Sequence, residues 1–315
     1  AAAHLLWGTT QDRFLVERAV REYKRALALN PNLDDVHQHL GTLYLHVGLL
    51  DQAVAEFQKA LELQPGDHNA VRRIGITLIY RGQYEEGLRT FRQAPPQSNA
   101  SLWHYQVAWA LLYLGRDQEA RTLMDDYLRA HPDDRGGVVS STRAIWFAKV
   151  GDARSAEADI LAAQAKGKGF IHFHHSAYNI ASAYALLGRA ERAVHWLRIA
   201  AETGWPCYPY FANDPNLEKL HGDDAYEKLM QQLKAQWQTY QLTLYPPARR
   251  SEVRSRRRRD MPAASRRLLK GRSRMRSHPH RAYQAGHARL NRTLERLAAL
   301  PWFPRLRSMP SEDGQ

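Results

Sequence analysis

One cysteine, Cys207, stands in a chain of 315 residues, and the first exclusions follow from that scarcity. No disulfide can form within the chain, and no cysteine cluster is available to zinc or an iron–sulfur centre. This composition suits a reducing compartment, and a cytoplasmic location is expected. No apolar run approaches the roughly 18 residues of a membrane span. A secretory leader, with its basic start, apolar run and small-residue cleavage site, is not visible. The chain opens Ala-Ala-Ala-His without a methionine and is expected to be a fragment.

Catalytic signatures are equally sparse. Gly167-Lys168-Gly169 lacks the spacing of a phosphate-binding loop and a preceding strand. There is no G-x-S-x-G elbow, and Cys207 has no defined base. The pairs Asp125-Asp126 and Asp133-Asp134 fall at helix ends or in loops, where carboxylates are solvated or capping. No enzymatic activity and no cofactor are expected.

What is abundant is charge, unevenly placed. Residues 1–245 hold 26 Lys+Arg against 27 Asp+Glu, whereas residues 246–315 hold 19 against 5. The whole basic excess therefore sits in the tail.

An internal period organises the rest. Glycines recur at 48, 82, 115, 151 and 188, with others at 41 and 75. Five residues after each of the five comes a small residue: Ala53, Gly87, Ala120, Ala156, Ala193. Four further on stands a bulky apolar one: Phe57, Phe91, Met124, Ile160, Leu197. Three later a small residue returns as Ala60, Ala94, Ala163 and Ala200, with Tyr127 departing in the third unit. Pro31, Pro65 and Pro132 punctuate the ends. A small residue lets helices approach, a large one fills the gap beyond, and glycine supplies the tight turn of a helical hairpin. One hairpin cannot bury its apolar face, so such units stack.

The pattern in Leu40, Gly41, Tyr44, Gly48, Ala53, Phe57, Ala60 and Pro65 resembles the tetratricopeptide repeat. The resemblance implies an all-α, right-handed α-solenoid. It divides the chain into a partial or diverged repeat over 1–33, where Ala19, Tyr23, Ala26 and Pro31 match a second helix, and five repeats over 34–207. A helical cap is expected over 208–245, because Tyr226, Leu229, Met230, Leu233 and Trp237 share one helix face. The stretch from Cys207 to Gln238 resembles the closing segment of bacterial tetratricopeptide regions in signalling proteins whose N-terminal parts are kinases, nucleotide cyclases or winged-helix regulators. The Arg-rich tail, 246–315, is expected to be disordered, or to be an artefact of out-of-frame translation, with one helix near 282–300.

The resemblance implies a protein-binding scaffold or sensor whose first helices line a concave groove. The groove candidates are Gln38, Thr42, Arg72, Ile76, Tyr105, Trp109, Ser141, Tyr178 and Ser182. Packing of Tyr105 and Trp109 between repeats is the competing reading. The family's carboxylate clamp of Lys, Asn and Arg is not reproduced, since Arg72 stands nearly alone. Two other functions stay open: a regulatory C-terminal fragment of a larger signalling enzyme or transcription regulator, and nucleic-acid binding through the tail. For metals, His172, His174 and His175 are the best candidates, but a helical His174 and His175 point apart, and solvated or capping histidines are expected.

Overall fold

The computed structural model describes residues 13–94, 100–167, 170 and 172–245. The tail, its expected helix and the first twelve residues lie outside the described residues. Within them the chain is helical, without strands, and its elements pair as successive hairpins. After α1 (Arg13–Leu29) come α2 (Asp34–His46) with α3 (Leu50–Leu63), and α4 (His68–Tyr80) with α5 (Tyr84–Phe91). Next are α6 (Ala100–Tyr113) with α7 (Asp117–Ala130), α8 (Val138–Lys149) with α9 (Ala153–Lys166), and α10 (Phe173–Leu186) with α11 (Ala190–Glu202). A short α12 (Tyr208–Phe211), a 3-10 turn over Pro215–Leu220 and α13 (Asp224–Thr243) complete the described chain. The expected all-α tetratricopeptide-type solenoid holds.

Each hairpin turn is built alike. Gly48, Gly82, Gly115, Gly151 and Gly188 take φ between +70 and +82°, a left-handed conformation that costs an L side chain energy. In the first turn the Leu49 N–H donates to the Tyr44 carbonyl at 2.8 Å and the Gly48 N–H to Leu45 at 3.3 Å. The same pair of bonds recurs in the other four turns, for example Arg189 to Tyr184 and Gly188 to Ala185. They satisfy carbonyls that the end of an α-helix leaves orphaned.

The small and large markers of the second helices meet in the core. Ala53, Phe57, Ala120, Met124, Ala156, Ile160, Ala193 and Leu197 are all fully buried. A Cβ added at Gly41 would stand 2.7 Å from the Phe57 ring, and one at Gly75 would stand 2.9 Å from Phe91. Ala108, Ala144 and Ala181 continue this close-approach series in the later hairpins, also fully buried.

The C-terminal segment does more than cover the last hairpin. Asp214 accepts the Asn216 N–H at 2.9 Å to start the 3-10 turn, and Asp223 accepts the N–H groups of Ala225 and Tyr226 to start α13. The helix then reaches back to the beginning of the array. The Trp237 indole donates to the Gly48 carbonyl at 3.0 Å, and the Lys24 ammonium donates to the Leu244 carbonyl at 2.6 Å. The last described helix thus straps the beginning of the array.

Candidate functional site

The first helices α4, α6 and α10 turn a face bearing Tyr80, Trp109 and Tyr178 toward the segment between α11 and the 3-10 turn. Trp205, Tyr210 and Phe211 lie against that face, each at most 3 % exposed. Trp205 stacks on Trp109 with ring centroids 6.0 Å apart and planes at 17°. Tyr210 stacks on Tyr80 at 4.6 Å, and Phe211 on Tyr178 at 4.7 Å. The polar atoms of this layer converge on Asp214. Tyr178 and Tyr113 both donate their hydroxyls to its carboxylate, Tyr113 at 3.0 Å, and the hydroxyls of Tyr113 and Tyr210 share a hydrogen bond at 2.6 Å. Burial pushes the pKa of Asp214 up, and the donors from Tyr178 and Asn216 pull it back.

This arrangement corrects the expectation of open groove positions. Arg72, Ile76, Tyr105, Trp109, Ser141, Tyr178 and Ser182 are all buried. Trp109 is 1 % exposed beneath Trp205 and Tyr210, and Tyr105 packs edge-on to Trp109 at 5.2 Å. Arg72 donates to the Gln106 side chain at 2.9 Å. Ser141 accepts from Asn179 at 3.0 Å, a bond between α8 and α10. Gln38 and Thr42 are half-buried. Gln38 donates to Asp67 at 2.6 Å and accepts from Arg73 at 2.5 Å, and the Thr42 hydroxyl returns to the Gln38 carbonyl at 2.8 Å.

The carboxylate pairs act structurally. Asp125 accepts from Arg143 at 2.8 Å and from Arg121 at 2.5 Å, and Asp126 pairs with Arg129. Asp134 is fully buried and accepts the Val139 and Ser140 N–H groups. Cys207 is buried, and burial pushes its thiol up to about 12, so it offers no thiolate at neutral pH.

The histidines depart from expectation. His174 and His175 are 4 % and 7 % exposed rather than solvated, and His172, at the N-cap position of α10, makes no side-chain cap bond. They converge with each other and with His46, the last residue of α2. One ring nitrogen from each of the four lies within 4.8 Å of the others. Sequence reasoning missed His46 because nothing in its local spacing ties it to residues 172–175.

The fold and its face define a helical-repeat protein with an aromatic inner layer. Residues 16–73 and 72–135 each match a family model of the tetratricopeptide repeat. Such repeats are in general protein-interaction modules and non-catalytic scaffolds. Among solved structures, the chain is similar to YrrB, described as a tetratricopeptide protein with an unusual peptide-binding site. That likeness has 19% identity over 68% of this chain and 97% of that one, with a TM-score of 0.36. A tetratricopeptide repeat protein of Parabacteroides merdae aligns at 15% identity over 70% and 78%, with a TM-score of 0.49. Another, from Thermus thermophilus, aligns at 18% identity over 64% and 98%, with a TM-score of 0.46. A comparison with curated proteins returns no match. Among the described residues no helix is long and apolar enough to cross a membrane.

Proposed function

We propose that this chain is a non-catalytic scaffold that binds an extended protein segment on the first-helix face, and that the segment it favours pairs aromatic side chains with a carboxylate. The observation that carries this reading is the occupant the face already has. Trp205–Asp214 engages it through stacked rings and a carboxylate held by two tyrosine hydroxyls, the chemistry of a peptide site. A partner of like chemistry competes with this segment. The resemblance of the closing segment supports a place as the interaction arm of a bacterial, cytoplasmic signalling system.

The test uses a fluorescent peptide spanning residues 205–216. The intact chain holds its own copy at an effective concentration in the millimolar range, so it should ignore the peptide. The double variant Tyr210→Ala, Asp214→Asn, checked for helicity and a cooperative melt, should bind it. If neither chain takes up the peptide while both remain folded, the reading fails.

A further inference from the structure

The four-histidine cluster is not used by the reading above, and it stands independently of it. His46 ends the first helix of one hairpin, whereas His172, His174 and His175 begin the first helix of the hairpin four places on. Their rings pack closely, with centroids 5.1 Å apart for His46 and His174 and 4.4 Å for His174 and His175. Trp205 closes the cluster on one side, 4.7 Å from His175.

Plain packing does not account for the nitrogens. His172 Nδ1, His174 Nε2 and His175 Nδ1 are buried and have no hydrogen-bond partner. An imidazole nitrogen buried without a partner is unfavourable, and here three stand together. His174 is also oriented as a ligand. Its Nδ1 lies 3.2 Å from the Thr203 carbonyl, which can only accept, so Nδ1 carries the proton and Nε2 presents its lone pair to the cluster. A backbone carbonyl on the far ring nitrogen is the usual second partner of a metal-bound histidine.

We infer that His46, His172, His174 and His175 form a binding site for a divalent first-row transition ion of the zinc class. Four imidazoles are a donor set for zinc, copper, nickel or iron. Calcium and magnesium prefer oxygen donors, which the cluster does not contain. The size is nearly right. Tetrahedral nitrogens about 2.0–2.1 Å from zinc stand about 3.4 Å from one another, so the widest separation of 4.8 Å must close by little more than an ångström, a movement within reach of ring rotation. Burial holds the pKa values of His172, His174 and His175 below the ordinary histidine range, that of His174 at about 3, so these rings are neutral and able to coordinate at pH 7. Arg72 contributes to the lowering at His172 and His175, and its charge also opposes a dication. Affinity should therefore fall short of that of a thiolate site. Because the ligands come from both ends of the array, a bound ion ties α2 to α10, and binding should raise the melting temperature.

The experiment titrates Zn²⁺ calorimetrically into the metal-free full chain, with Co²⁺ in parallel for its visible d–d absorption. One ion per chain, a higher melting temperature and a tetrahedral-type cobalt spectrum are expected. His174→Gln and His172→Gln should each weaken binding by at least about tenfold, while His39→Gln, at an exposed position, should not. If His174→Gln does not fold, the half-buried His172 carries the test. A parent chain that binds no zinc overturns the assignment. So does a folded His172→Gln chain that binds zinc, and gains stability from it, as the parent does.

Discussion

The Trp237 indole and the Gly48 carbonyl, 3.0 Å apart, join the last described helix to the first turn glycine. Gly48 therefore has two tasks, where the other turn glycines have one. Its φ is +78°, and a Cβ there would also stand 2.6 Å from Pro209 Cδ and 3.2 Å from Trp237 Cδ1. Gly82 has φ +76° and open space around the same position. Gly82→Ala should cost only the left-handed backbone penalty, about 1–2 kcal/mol. Gly48→Ala should cost measurably more, because the strap must shift. Equal losses in urea melts of the two variants would remove the strap from the account.

Trp109→Ala should destabilise the fold by about 3–5 kcal/mol, the cost of removing a large ring from a packed interior. The ring is 1 % exposed and touches Tyr80, Tyr105, Tyr178, Trp205 and Tyr210. Trp109→Phe should cost less. A Trp109→Ala chain that melts like the parent would show that the layer is not packed as described.

Acid should weaken the metal-free fold through its histidines. His174 and His175 are held below the ordinary value of 6.5 by burial first and by neighbouring histidines next. His172 and His104 are lowered by burial as well. The unfolded chain thus takes up protons that the folded chain refuses, and stability present above pH 6.5 is lost as pH falls toward the folded value, about 3 for His174. Asp214 acts in the opposite sense. Its raised pKa favours the fold below the ordinary carboxylate range and loses that contribution as pH rises through the folded value. Between pH 7 and 5 the histidines should prevail, so the melting temperature should drop, and the drop should be smaller in His174→Gln. An identical pH slope in that variant would contradict the assignment.

The parts legible in the sequence are those whose cause is local. The glycine after each first helix donates to the carbonyl three residues before it, and the next residue donates to the one five before itself, so the spacing of these glycines shows without any knowledge of the fold. Phe57 and Phe91 announce themselves as the large residues that fill the gap at Gly41 and Gly75. The continuation of that series in Ala108, Ala144 and Ala181 was hidden, since alanine is frequent in any helix. Helix periodicity places Tyr105 and Trp109 on one face, but it does not tell whether water or a distant stretch of the same chain covers that face. His46 posed the same difficulty. An isolated histidine at a helix end has no spacing that points to HFHH beyond the fourth hairpin, and only the closure of the array brings them together.

That closure sets an order of events during synthesis. A linear stack of hairpins can fold as it leaves the ribosome, each unit resting on the one before. Here the first turn waits for Trp237, which emerges 189 residues later. At roughly 5–20 residues per second that delay is about 10–40 s. For much of it, between the emergence of Trp109 and that of Trp205 and Tyr210, the aromatic faces of α4 and α6 stand uncovered. The nascent chain therefore passes through a long-lived stage with an exposed apolar face, during which chaperone binding or misassembly with a second nascent copy competes with completion.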